Sequence, residues 1–315
     1  MRETLPRRSK GVALITALLV VALATIAAAA MASRQQLDLR RTGNILDGDQ
    51  AYLYTLGAEA WAVGILVKDR KENQTDSLGD DWATVLPAIP VEGGQITGVL
   101  EDLQGRFNIN NLLTDDNQPS PPDIEIFQRL LAALDLEPRL ALAVVDWLDP
   151  DIDPQPLDGA EDDQYLGEQP PYRTANQRMA SATELRLIRG FPPEAYERLA
   201  PYIVALPFRT PINVNTASIP VLMALGNDIT ASDAEALIQA RGEKGFADVN
   251  AFLQQPVLSG GKINPQAMQS IAVESHYFLL KVEAHIGQGR AQLSSLIERA
   301  QNGKIRIVMR SREIM

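Results

Sequence analysis

Residues Val12 to Ala32, VALITALLVVALATIAAAAMA, run for 21 positions without a charge. This stretch restricts the chain more than any other part of it. At a rise of about 1.5 Å per residue, a helix of that length crosses a hydrocarbon layer roughly 30 Å thick. Ahead of it, MRETLPRRSKG sets Arg2, Arg7, Arg8 and Lys10 against Glu3 alone. Positive residues beside a span stay on the cytoplasmic side, which sends everything after Ala32 across the membrane. An ordinary single-pass anchor has this pattern. So does a secretory signal, with Ala28-Ala29-Ala30 as its small-residue cleavage site.

The Gly11-Val12 junction separates the two readings from a third, because it lies before the apolar run and not after it. In that respect the N-terminus resembles a type IV prepilin signal. The resemblance implies that a prepilin peptidase cuts after Gly11, that Val12 becomes an N-methylated first residue, and that Thr16 is the fifth mature residue. Pilin-like subunits normally carry Glu there, paired with the terminal amine of the preceding subunit. A carboxylate in a bilayer is costly without such a partner. Thr16 cannot form the pair, which suits a subunit at a filament tip.

Beyond the span, Leu53, Leu56, Ala60, Val63 and Val67 fall at helical spacing and predict that the helix continues with an apolar face. Gly43, Gly57 and Gly64 weaken it locally, and Lys68 to Asn73 ends it. Gln95 to Ile109 is expected to be a strand, with Val99, Leu103, Phe107 and Ile109 on one face and Glu101 an exception. Its partners lie at the C-terminus. Phe278, Leu280, Val282, Ala284 and Ile286 alternate with Leu279, Lys281, Glu283 and His285, and after Gly287-Gln288-Gly289 a second strand runs from Arg290 to Glu298. Asn302-Gly303 then turns into Lys304 to Arg310.

The sheet is therefore interrupted. Between its parts the pattern is helical: Pro122 and Pro138 at helix starts, capping boxes at Ser181-x-x-Glu184 and Thr230-x-x-Asp233, and Asn264-Pro265 before a last short helix. The expected fold is α+β, a pilin-like long N-terminal helix and antiparallel sheet interrupted by a large all-helical insertion. The corresponding divisions are a leader at 1–11, a membrane helix at 12–32, a body at 33–110, helical parts at 111–205 and 206–272, and closing strands at 273–315.

The chain has no Cys and a formal charge of −11, which becomes −14 once the leader takes away four cations and one anion. Thiolate metal sites and disulfides are excluded, and the charge disfavours phosphate-bearing partners. The acids concentrate in Asp149-Pro-Asp151-Ile-Asp153 and Asp158-Gly-Ala-Glu161-Asp162-Asp163. Calcium takes roughly six to eight oxygens in flexible geometry, and carboxylates in a Pro/Gly-rich loop can supply them. A solvated connection has the same composition. The spacing of Asp149, Asp151 and Asp153 imitates the start of an EF-hand loop, but Pro154 stands at the sixth position and Ala160 at the twelfth.

Asp146-Trp-Leu-Asp149, Gly159-Ala-Glu-Asp-Asp-Gln-Tyr165 and Pro171-Tyr-Arg-Thr-Ala-Asn176 resemble, in order, the K minor pseudopilins of type II secretion systems. Gly105-Arg-Phe-Asn-Ile-Asn110 and Ile212-Asn-Val-Asn-Thr-Ala-Ser218 add to the likeness, which extends from leader to final strands. It implies an inner-membrane subunit with a periplasmic body and no enzymatic activity. Its partners would be the I, J and H pseudopilins and the proteins exported. It also implies calcium in the insertion, with Asp149, Asp151, Asp153, Glu161 and Asp162 as candidate ligands.

Two other classes compete. Asn213 to Leu253 is similar to helix-hairpin-helix DNA-binding modules, whose hairpin N–H groups hold phosphate. Here the hairpin reads Gly226-Asn-Asp-Ile-Thr230, with an acid where phosphate would sit and no basic cluster beside it. For an enzyme, no G-x-S-x-G or P-loop is present. His276 and His285 lie nine apart, on opposite faces of one strand. An Asp-rich hydrolase site in the acidic loop would need a substrate cleft.

Overall fold

The computed structural model describes residues 10–85, 87–156 and 159–312, with Lys10 and Gly11 as backbone alone. Leader residues 1–9 and Asp158 lie outside the described residues. Helix α1 (Lys10–Glu72) is continuous through the apolar run and on into the body, about 95 Å of helix at the standard rise. From Val12 through Thr42 it is exposed, and it is the one helix among the described residues long and apolar enough to cross a membrane. Arg70 and Lys71 in the last turn complement its dipole.

From Ala51 onward α1 lies on a five-stranded antiparallel sheet of order β1-β2-β7-β8-β9. Strands β1 (Ile89–Val91) and β2 (Gly94–Asp102) come before the insertion; β7 (Tyr277–Ile286), β8 (Gly289–Arg299) and β9 (Ile305–Ser311) come after it. β2 joins the halves by pairing with β7 from Gly94↔Ile286 to Asp102↔Phe278. The alternation predicted for β7 holds, and Phe278, Leu280 and Val282 pack with Ala62, Leu66 and Trp82 under the helix. At Gly287, φ is +52°, and Asp47 accepts the Gln288 N–H at 3.0 Å. A side chain at Gly287 or Gly289 would run into α1 at Asp47.

Two faces differ from expectation. The buried side of α1 is Ala51, Thr55, Glu59, Ala62, Leu66 and Asp69, whereas Leu53 and Ala60 are exposed. Carboxylates decide this rotation. Both Glu59 oxygens take Arg310, at 2.7 and 2.8 Å, and Ser295 donates at 2.6 Å; Asp69 takes Arg299 at 2.8 Å. Likewise the strand expected over Gln95–Ile109 breaks at Leu103–Arg106 and resumes as β3 (Phe107–Asn108). Its helix-facing residues are Ile96 and Leu100, not Val99, while Glu101 pairs with Arg106 and Lys281.

The insertion contains α2 (Pro121–Ala133), α3 (Leu140–Leu148), α4 (Asp162–Tyr165), α5 (Pro193–Leu199), α6 (Ile219–Ala224), α7 (Ala231–Arg241) and α8 (Val249–Leu253), with short 3-10 turns between. It is not wholly helical. β3 pairs in parallel with β4 (Ile203–Val204), and β5 (Ile212–Asn213) with β6 (Ile271–Ala272). The Asn-rich motifs sit at these crossings, where a buried amide serves backbone that no ladder reaches. Asn110 Nδ2 donates to the Met179 and Leu206 carbonyls at 2.9 and 2.8 Å, Asn111 bonds Thr210, and Asn215 bonds Phe246.

One buried polar network ties insertion to body. Arg299 Nη1 meets Asp69, while Nη2 meets Asp76 and donates to the Ser275 carbonyl at 2.8 Å. Its guanidinium also covers the Phe278 ring at 5.0 Å. Asp102, at the end of β2, accepts from Ser275, Thr216 and Asn213 at 2.7, 2.5 and 3.1 Å. The helix, the sheet and the second half of the insertion thus share a single joint.

A buried carboxylate cluster as the candidate metal centre

Helix α3, LALAVVDWL, is buried on nearly all sides, yet carries Asp146 near its end and Asp149 just beyond it. The chain then loops out through the exposed residues 150–154 and returns to Glu161, the N-cap of α4. Asp146 holds the returning loop. It accepts the Gln155 N–H at 3.0 Å and the Ala160 N–H at 2.6 Å. Gly159 packs so close to Asp146 that a Cβ there would overlap the carboxylate. Behind the cluster, Trp147 packs edge-on against Tyr165 with centroids 5.5 Å apart.

This path brings carboxylate oxygens of Asp146, Asp149 and Glu161 within 4.8 Å of one another, all three residues buried. Both Asp149 oxygens, Glu161 Oε1 and Asn176 Oδ1 are buried without a hydrogen-bond partner. Asn176 belongs to the same corner: its N–H donates to the Trp147 carbonyl at 3.1 Å and its Nδ2 to that of Asp151 at 3.2 Å. Buried oxygens left without donors are costly. Hard oxygen atoms from carboxylates and an amide are what calcium accepts. The residues therefore fit the ion.

Burial, then neighbouring acids, push the Asp149 carboxyl up to about 7. Burial raises Asp146 to about 6 against the pull of its two backbone donors, and Glu161 to about 7 against the Thr174 hydroxyl. A cation among them would reverse this preference for protons.

Of the five expected ligands, two are in the cluster. Asp149 and Glu161 converge, whereas Asp151 and Asp153 are exposed on the loop, joined to each other by an Asp153 N–H to Asp151 bond of 2.9 Å. Asp162 is engaged elsewhere, with Arg173 at 2.9 Å and the Thr174 N–H and hydroxyl at 3.1 and 3.0 Å. Asp146 and Asn176 were not among the expected ligands. The available signal for Asp146 was an acid inside an otherwise apolar helix.

The competing sites are occupied by the fold itself. At the helix-hairpin-helix turn, the Asn227 N–H donates to the Lys262 carbonyl at 2.8 Å, and Gly226 packs against that same carbonyl. His276 bonds the Arg299 carbonyl at 3.0 Å and His285 contacts Glu283, so the two histidines share no site. Thr16 bonds back onto its own helix, to the carbonyls of Val12 and Ala13 at 3.1 and 3.0 Å.

A long helix that is apolar for its first third and packed on an antiparallel sheet for its last defines a pilin-like subunit, here enlarged by the insertion. Comparison with known proteins makes the assignment narrower. Two family models, each described as type II secretion system (T2SS), protein K, match residues 105–208 and 212–274 respectively. Type II secretion system protein K of Pseudomonas aeruginosa is 39% identical, over 96% of this chain and 93% of that one. The protein of the same name from Aeromonas hydrophila is 37% identical, over 96% and 97%. A solved structure, the GspK-GspI-GspJ complex from enterotoxigenic Escherichia coli, matches with a TM-score of 0.75 and 29% identity, covering 87% of this chain and all of the other. The chain belongs to the type II secretion system protein K family, and its role is that of a minor pseudopilin.

Proposed function

We propose that this subunit sits at the tip of the type II secretion pseudopilus, where with I- and J-type partners it caps or initiates the filament that exports folded proteins. Its α1 would hold it in the inner membrane before assembly, with the body in the periplasm, and an H-type subunit would join the complex to the shaft. The observation that carries this reading is Thr16. With its hydroxyl closed onto Val12 and Ala13, this part of the helix offers no carboxylate to the amine of a subunit ahead of it. The acidic surface fits protein partners better than nucleic acid. Calcium bound by Asp146, Asp149, Glu161 and Asn176 would be structural, fixing the loop between α3 and α4, and no catalytic step is assigned.

Membrane-extracted protein is expected to begin at Val12, with an N-methyl group, by intact and peptide mass spectrometry. A start at Met1, or after Ala28 to Ala32, would end the prepilin reading. Replacing Gly11 by a bulky residue should leave the leader uncleaved. The full chain, co-expressed with its I and J subunits, should co-purify with both; recovery alone under conditions that keep I and J together would refute the tip complex.

A further inference from the structure

The body grips α1 only from Asp47 onward. There the β7–β8 turn lies against the helix: the Gln288 N–H donates to Asp47 at 3.0 Å, and a side chain at Gly289 would overlap the helix backbone at Asp47 and Gly48. Among the described residues of α1, Ala51 is the first that is buried. Toward the membrane, residues 33–46 are exposed except for Gly43, and nothing beyond the local helix backbone lies within 4 Å of where a Gly43 side chain would begin. An ion pair there, Arg41 with Asp38 at 4.0 Å, is exposed on both sides and contributes little. The helical state of this stretch therefore rests on its own residues.

Those residues are poor helix formers. Thr42-Gly43-Asn44 and Asp47-Gly48-Asp49 set two glycines among Thr, Asn and Asp. The same residues also spell a stop and a new start. Arg40 and Arg41 followed by Gly43 have the order of basic residues in a last turn and the glycine of a C-cap. Asp47-x-x-Gln50 is an N-cap signature, with Asp49 in the first turn, just ahead of the buried face that begins at Ala51. A continuous helix uses neither signal, because its N–H groups at Asp49 and Gln50 bond to the carbonyls four residues back. An opened helix uses both. The N–H groups released from Ile45 and Leu46 then pass to the Asp47 carboxylate, which has lone pairs enough to keep Gln288 as well. Two arrangements of one segment are thus written into one sequence.

We propose that residues 43–46 form a hinge built into α1, which opens into a membrane helix ended at Thr42 and a body helix begun at Asp47. The body then turns against its anchor, and four residues passing from helical to extended lengthen the connection by about 7 Å. Hinges of this kind are a few residues that absorb a large backbone change between rigid parts. The use of the hinge rests on the tip-complex reading: the body has to change its angle to the span when the span leaves the bilayer for the filament.

The full chain in lipid nanodiscs tests it. Because the sequence has no Cys, Gln36→Cys with Leu53→Cys places two spin labels at exposed positions on either side of the hinge. A straight helix sets them about 26 Å apart in one narrow distribution. The opened state should add a second, broad population, and amide exchange across residues 43–46 should run at least tenfold faster than across the equally exposed residues 34–40. Gly43→Ala with Asn44→Ala fits the open space and favours the helix. That pair should remove the broad population and the exchange difference while leaving the melting temperature of the body unchanged. A single narrow distance in the labelled chain, with exchange across 43–46 no faster than across 34–40, would overturn the hinge. These readings come from the chain alone, so failure to co-purify with I and J would remove the tip complex and leave the hinge standing. In cells where the stiffened variant replaces the wild-type chain at equal abundance, export should fall at least fivefold; unchanged export would refute the use assigned to the hinge.

Discussion

Arg299→Met is expected to destabilise the protein by about 3–5 kcal/mol, the usual cost of removing one partner from a buried ion pair. Arg299 is 2% exposed and holds both Asp69 and Asp76. Methionine fills much of the volume and keeps the packing on Phe278, so the loss would report the stranded carboxylates and not a cavity. Burial already pushes Asp69 up to about 6, against the pull of the guanidinium. Without Arg299 both acids would resist ionisation further. A folded-state pKa above the unfolded one means that stability is present at low pH and lost as pH rises through the folded value. The variant should therefore lose more at pH 8 than at pH 5 in urea unfolding, and an equal loss at both would place the effect in packing. Arg306→Ala is the control. Its pair with Glu298 is largely exposed on the Arg side, and the change should stay within about 1 kcal/mol.

The same network explains where the sequence could be read and where it could not. The apolar run, β7 to β9 and the capping boxes at Ser181 and Thr230 follow local rules, and each is where its residues predict. The rotation of α1 follows no local rule. Its buried face carries Glu59 and Asp69, acceptable only because Arg310 and Arg299 arrive from strands more than 200 residues later. Periodicity of apolar residues selects Leu53 and Ala60 instead, and both are exposed. The carboxylate cluster was legible in part, through Asp149 and Glu161. The resemblance to the family put Asp151 and Asp153 beside them as candidates, and both are exposed on the loop. The fold chose Asp146, whose place inside α3 makes it buried, and Asn176, which only the chain path beside Trp147 brings near. The two parallel bridges inside the insertion are two residues each, too short to leave a periodic signature.

The proposed calcium site is expected to give the second large effect, and its dependence on pH is the sharper test. In the metal-free protein Asp149 and Glu161 stay protonated up to about 7 and Asp146 up to about 6, whereas an unfolded chain releases those protons near 4. The folded state therefore holds extra protons, and metal-free stability should fall as pH rises from about 4 to about 7. Calcium needs the carboxylates ionised, so it competes with those protons and binds better as pH rises. At a hundredfold excess over its dissociation constant, a single ion bound only to the folded state adds about 2.7 kcal/mol. Saturating calcium at pH 8 should raise the melting temperature of chelator-treated protein by several degrees, and at pH 5.5 by much less. Asp149→Asn with Glu161→Gln should do two things at once: remove the calcium shift, and make the metal-free protein more stable at pH 8 than wild type, since two buried charges are gone. A loss of stability in that double variant without metal would mean that the carboxylates serve the fold through contacts of their own. An equal calcium shift at both pH values would place the ion among the exposed acids of the loop, outside the buried cluster.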